Sequence, residues 1–210
     1  MSVAKIGEKE YQLRAAELIA AGRRLYDQGM VPATSGNLSA RLSGGELAIT
    51  VSGSHKGRLQ EAQIMRVDAA GNSQDARRPS AETLLHVQIY RRFTSAGAVL
   101  HPHSVNATLL SRLHRGHLVL RDYELLKAFP GVDTHAFELV VPNFSNDQDI
   151  ARLANEVDAY MNSHTPVHGY LIAGHGFYTW GETVEDALRH VEALEFLFEC
   201  ELRLRGGTTT

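Results

Sequence analysis

The chain has 210 residues, 43% of them hydrophobic, which at this length is enough to fill one core and predicts a single domain over residues 1–210. A net charge of -3 excludes any general attraction to nucleic acid or to an anionic membrane, so a bound phosphate would have to be held by local groups. The lone cysteine, Cys200, excludes an internal disulfide, no stretch approaches a membrane span, and Met1 to Glu10 lacks the apolar core of a signal peptide; the expectation is a cytoplasmic protein with neither a membrane nor a nucleic-acid partner.

From Glu8 to Gln28 the residues Leu13, Ala16, Ala20 and Arg24 lie along one helical line, widened by Ile19 and Leu25 and closed by Gly29. Thr34-Ser35-Gly36-Asn37 is a small polar turn that runs into alternating residues up to Leu42. Gly44-Gly45 then predicts a hairpin, and Glu46 to Val51 its return strand. That strand ends in Ser52-Gly53-Ser54-His55-Lys56-Gly57-Arg58. Glycines that let backbone N–H groups approach closely, with serine, asparagine and lysine as further donors, give both loops the chemistry of an anion cradle. Such turns also occur without a ligand, and the loops alone leave both readings open.

After a short strand at Gln63 to Val67 and a charged loop from Asp68 to Arg78, Pro79-Ser80-Ala81-Glu82 opens a helix with Ser80 as its N-cap. Glu82 in the first turn suits the helix dipole, and Leu85, His86, Ile89 and Tyr90 form the buried side. His86, like His55, reads as structural. The apolar run Ala98-Val99-Leu100 leads into His101-Pro102-His103, and residues two apart on a strand share a face. A helix from Val105 follows. A second apolar run, Leu171-Ile172-Ala173, ends in Gly174-His175-Gly176. Three neutral imidazoles with an open position are a common setting for catalytic zinc, although a His-x-His pair also arises by chance among 11 histidines.

Leu118 to Ala128 begins apolar and becomes helical until Pro130-Gly131, and His135 to Val141 alternates as a strand. A helix carrying Ile150, Leu153 and Val157 comes next. The last helix, Thr183 to Arg205, has Thr183 as N-cap, Asp186 three residues on, and the stripe Val184, Leu188, Val191, Leu194 and Phe198. The tail from Gly206 to Thr210 reads as frayed.

Taken in order, Ser35-Gly36-Asn37, Ser52-Gly53, Pro79-Ser80-Ala81-Glu82, His101-Pro102-His103 and Gly174-His175-Gly176 resemble the class II aldolase and adducin family over nearly the whole chain. The resemblance implies an α/β fold: a three-layer α/β/α sandwich around a central mixed, mostly antiparallel sheet. It also implies a homotetramer with sites at subunit interfaces and one Zn2+ per subunit on His101, His103 and His175. A sugar-phosphate substrate would then be held by Ser35, Gly36, Asn37, Ser52, Gly53, Lys56 and Ser80.

Within the family, the stretch His175 to Thr183, with Tyr178 and Trp180, and the run Glu124-Leu125-Leu126-Lys127 resemble a dehydratase branch of methionine salvage. That branch implies loss of water from 5-methylthioribulose 1-phosphate to give 5-methylthio-2,3-dioxopentyl phosphate. Glu124 matches its acid/base, with Glu82 as a second carboxylate near the metal; in the aldolase branch the acid/base matches Glu82 instead. The alternatives are therefore a metal-dependent aldolase of the fuculose-phosphate type and a non-catalytic, adducin-like interaction domain.

Overall fold

The computed structural model describes residues 3–206, so the expected frayed tail lies, beyond Gly206, outside the described residues. Eight strands form one sheet: β1 (Asn37–Arg41), β2 (Leu47–Thr50), β3 (Ile64–Val67), β4 (Ala98–His101), β5 (Gly116–Leu120), β6 (Leu139–Phe144), β7 (Gly169–Ile172) and β8 (Gly176–Gly181), in the order β3-β2-β1-β4-β8-β7-β6-β5. Every neighbouring pair is antiparallel except β6 and β7, so the sheet is mixed as expected.

Side chains alternate along each strand, and each face of the sheet has its own core. Leu38, Ala40, Ala98, Leu100, Leu171 and Phe177 join the cluster under helices α1 (Val3–Asp27), α3 (Val105–Leu113) and α5 (Val184–Gly206). Ile49, Val99, Tyr170, Ile172 and Tyr178 join the other, under α2 (Thr83–Arg92) and α4 (Ile150–Ser163). This is the three-layer α/β/α sandwich. The α5 stripe is entirely buried in the first cluster, and Thr183 caps its helix by accepting from the Asp186 N–H at 3.0 Å. Among the described residues no helix is long and apolar enough to cross a membrane.

Three local expectations are corrected. The buried line of α1 is Tyr11, Ala15, Leu18, Ala21 and Leu25, whereas Leu13 is 53% exposed and Ala16 and Ala20 face outward. The reason is Gly22, where a Cβ would stand 2.6 Å from the Lys56 carbonyl; the helix turns its one bare position to the 56–58 turn. The strand expected at His135 to Val141 begins only at Leu139, because Thr134 to Phe137 is a turn, closed by Phe137 N–H donating to the Thr134 carbonyl at 3.3 Å. Pro142 is tolerated inside β6 because the parallel ladder to β7 starts just after it, at Asn143. Finally, α2 starts at Thr83, with Glu82 as its N-cap residue and Ser80 two residues further out. Glu82 makes no capping bond because its carboxylate is engaged elsewhere.

Candidate metal centre

The site lies where β1, β4 and β8 meet the start of α2. Asn37 is the direct partner of His101 in the antiparallel register, so both project from the α2 face of the sheet. Backbone fit brings the remaining pieces close. Gly36 has φ +74, and a Cβ there would stand 2.6 Å from the His101 carbonyl; at Gly176 it would stand 2.3 Å from the Pro102 carbonyl. His103 N–H donates to the Met30 carbonyl at 2.8 Å and His175 N–H to that of Ile172 at 3.0 Å, which fixes both residues beyond the strand ends.

Four side chains converge as a result. His101 Nε2 is 2.8 Å from His103 Nε2 and 3.4 Å from His175 Nε2. The Glu82 carboxylate reaches His101 Nε2 at 3.3 Å and His175 Nε2 at 3.4 Å, and one ligand atom from each of the four lies within 4.8 Å of all the others. His101 Nδ1 pairs with the Phe177 carbonyl at 2.8 Å, so it carries the hydrogen and leaves Nε2 a lone pair toward the cluster. Tyr178 backs the same ring in a parallel stack, with centroids 3.9 Å apart.

The electrostatics agree. Burial, the largest cause, pushes His103 down to about 2, with its neighbours His101 and His175 acting in the same direction, and burial likewise lowers His175. Burial pushes the Glu82 carboxyl up, but His101, His175 and Asn37 outweigh it and hold the group below the usual carboxylate range. Three imidazoles and one carboxylate converging on a common point, with the tautomer of one ring fixed from behind, are a donor set that fits a divalent cation.

Beside the cluster opens a cavity of about 320 Å³. Its walls bring together the residues expected for an anion: Ser35, Gly36 and Asn37 from one turn, Ser52, Gly53 and Lys56 from the next, and Ser80 ahead of α2, with Glu82, His103 and His175 at the metal end. Lys56 is 2% exposed and donates from Nζ to the carbonyls of Thr34 and Ser54, each at 2.7 Å, which ties the two turns together and leaves a third N–H. Burial, opposed by the charge of Glu82, lowers its pKa to about 8. The Ser35 hydroxyl is buried with no hydrogen-bond partner among the described residues, a donor available to a ligand oxygen. Asn37 donates to Glu82 Oε2 at 2.7 Å, so its side chain belongs to the metal end as well.

Glu124 is not brought to this site within its own chain. Gly116 at the start of β5 is level with Asn143 and, across β6, with Leu171 near the His175 end of β7, so Leu120 and everything after it leave the sheet at the opposite end. The edge strand β5 is also four positions from β4, a lateral offset of roughly 19 Å. The Glu124 side chain is 74% exposed and paired with Lys127 at 2.6 Å on a 3-10 turn, Glu124–Ala128. Asn146, Gln148 and Ile150, none of which the sequence motifs mark as a site residue, line the cavity instead. The available signal was their place just after β6, at the carboxyl ends of the parallel pair β6 and β7, where open sheets gather ligands.

Fold and site together define an α/β protein with a Glu/His cluster suited to a divalent metal ion. The chain belongs to the family described as Class II Aldolase and Adducin N-terminal domain, whose model matches residues 16–202. It is 64% identical over 199 residues to the methylthioribulose-1-phosphate dehydratase of Methylococcus capsulatus, covering 95% of this chain and 98% of that protein. It is 58% identical over 194 residues to the protein of the same name from Pseudomonas savastanoi pv. phaseolicola, covering 91% and 95%. Among solved structures it resembles the L-fuculose-1-phosphate aldolase of Thermus thermophilus, with a TM-score of 0.75 and 28% identity over 94% of this chain and 98% of that one.

The Gly36→Ala variant tests the backbone fit. A left-handed φ costs a non-glycine residue about 1–2 kcal/mol, and the new Cβ meets a carbonyl that cannot retreat without moving His101. The urea midpoint is expected to fall by at least that equivalent with an unchanged slope; an unchanged midpoint would contradict the fit.

Proposed function

We propose that this chain is a zinc-dependent dehydratase that removes water from 5-methylthioribulose 1-phosphate to give 5-methylthio-2,3-dioxopentyl phosphate. The observation that carries the reading is the 64% identity, over 95% of this chain and 98% of the relative, to a methylthioribulose-1-phosphate dehydratase. The cavity supports it, because it offers an anion cradle and a metal-type donor set at its two ends.

The difficult step is removal of the C3 proton beside the C2 ketone, since negative charge develops on the ketone oxygen. A divalent ion held by His101, His103 and His175 supplies Lewis-acid stabilisation of that charge. The chain's own groups do the rest. Ser35, Ser52, Ser80, the N–H groups around Gly36 and Gly53, and Lys56 hold the phosphate and so set the distance at which C2 and C3 reach the histidines. A carboxylate takes the C3 proton and returns it to the C4 hydroxyl, which leaves as water. The enol left behind becomes the diketone.

We assign that carboxylate to Glu124. Because it stands exposed and outside the lining of its own chain's cavity, this assignment requires it to act in the site of a second copy, in a homo-oligomer, a tetramer by family resemblance, carrying one Zn2+ per subunit. Glu82, held against His101 and His175, is the second carboxylate and orients a hydroxyl or ligates the ion.

Turnover of methylthioribulose 1-phosphate by the zinc-loaded protein is the direct test. A diketone product is expected, Glu124→Gln abolishing it with zinc retained and Glu82→Gln reducing it less. Absence of turnover there, with cleavage of a deoxyketose phosphate instead, would establish an aldolase; the reverse order of the two variants would overturn the assignment of Glu124.

Lys56 makes the cradle pH-sensitive. Its folded pKa of about 8 means that the ammonium is charged below that pH and lost above it, so anion binding weakens as pH rises. The inhibition constant of inorganic phosphate, corrected for the ionisation of phosphate itself, is expected to rise about twofold from pH 7 to 8 and severalfold more by pH 9.5; a constant value to pH 9.5 would remove Lys56 from the cradle.

A further inference from the structure

We propose that His86 is a positioning residue of the metal centre: a one-way chain of hydrogen bonds from Tyr90 through Ser39 and His86 to Asn37 fixes which end of the Asn37 amide faces Glu82, and so holds the Glu82 carboxylate against His101 and His175. The inference deepens the metal-dependent reading above and rests on it.

The chain starts from periodicity. Glu82, His86 and Tyr90 stand four residues apart along one face from the start of α2, a rise of about 6 Å per step. Asn37 and Ser39 stand two apart on the face of β1 that looks at them, a rise of about 6.8 Å. The two spacings nearly match, so strand and helix side chains interleave as Glu82, Asn37, His86, Ser39 and Tyr90.

The direction of every link is set by chemistry. A carboxylate only accepts, so Asn37 Nδ2–H donates to Glu82 Oε2 at 2.7 Å. The other end of that amide, Oδ1, also only accepts, so its close partner His86 Nε2 carries the hydrogen. His86 is fully buried, and burial lowers its pKa to about 3; the ring is neutral and, with its hydrogen on Nε2, Nδ1 holds a lone pair. Nδ1 therefore accepts from the Ser39 hydroxyl at 2.7 Å, and Ser39, its hydrogen committed, accepts from the Tyr90 hydroxyl at 2.9 Å. All four residues of the chain are at most 4% exposed, so water does not substitute for a missing link.

What His86 prevents is a half-turn of the Asn37 amide. Rotated, Asn37 would aim its oxygen at the Glu82 carboxylate and push it away from the two histidines. The Nε2–H of His86 admits only the donating orientation. His86 lines no part of the cavity, so its loss reaches the site only through Asn37 and the Glu82 carboxylate that Asn37 holds.

A pair of substitutions separates this role from packing. In His86→Gln the side-chain amide reaches the place of Nε2 and still donates to Asn37; in His86→Asn it reaches only the place of Nδ1, and Asn37 loses its donor. In the zinc-loaded enzyme His86→Asn is expected to lower kcat about 10–100-fold and to weaken zinc binding by at least a few-fold, with KM changed less than about threefold. His86→Gln is expected to keep at least tenfold more activity than His86→Asn. Equal losses in the two variants, or a loss confined to KM, would overturn the proposal. The wild-type protein gives a reading independent of any substrate. Nitrogen-15 NMR of labelled histidine is expected to show His86 neutral, with its hydrogen on Nε2, from pH 5.5 to 8.5. An Nδ1–H tautomer, or protonation in that range, would overturn the chain of bonds even if the dehydratase reading stands. Correct NMR and zinc affinities with no turnover of methylthioribulose 1-phosphate would instead fault the substrate and leave the positioning role intact.

Discussion

The arrangement depends on one electrostatic constraint: three imidazole nitrogens and a carboxylate must be held with their lone pairs toward one point, at separations of 2.8 to 3.4 Å along the His103, His101, His175 and Glu82 contacts. Burying polar groups of this kind together is costly, so the positions have to be imposed from outside the cluster. The backbone imposes them. Gly36 and Gly176 let chain segments close to the His101 and Pro102 carbonyls, the Phe177 carbonyl sets the tautomer of His101, and Tyr178 fills the space behind its ring. The same geometry that is costly for the bare donors is what a divalent cation requires.

The sheet divides the labour of the cavity. Its metal end is built from residues at strand ends and the first turn of α2, which the two cores hold rigidly. Its anion end is built from turns, and turns need a separate tie. Lys56 provides it by spanning the Thr34 and Ser54 carbonyls from a buried position, so that one side chain fixes both loops and still presents charge to the cavity. Under the proposed function, phosphate and reacting carbons would sit at opposite ends of a preformed site, which orients the substrate without a moving part.

Much of this was legible in the sequence because it is local. Alternation and apolar runs place His101, His103 and His175 at strand ends, and small polar turns with glycine mark the cradle, which the structure gathers into one cavity. Other features depend on strand order, which no local pattern carries. Glu124 sits in a readable motif, yet only the placement of β5 at the sheet edge, running away from the site, shows that it cannot serve its own chain's cavity. The buried line of α1 does not follow its apolar pattern, because its decisive residue, Gly22, contributes nothing to such a pattern. His86 read as a core histidine, and it is buried; its meaning needed β1 and α2 to be seen facing each other, with Glu82, His86 and Tyr90 in step with Asn37 and Ser39.

The central claim is that His101, His103 and His175 together hold one divalent ion. Zinc-edge X-ray absorption of the protein loaded with one equivalent of Zn2+ tests it most directly, because imidazole rings leave a countable multiple-scattering signal. The account predicts three imidazoles at about 2.0–2.1 Å, with oxygen completing the coordination and no sulfur. Two imidazoles or fewer, or a sulfur contribution from Cys200, would contradict it.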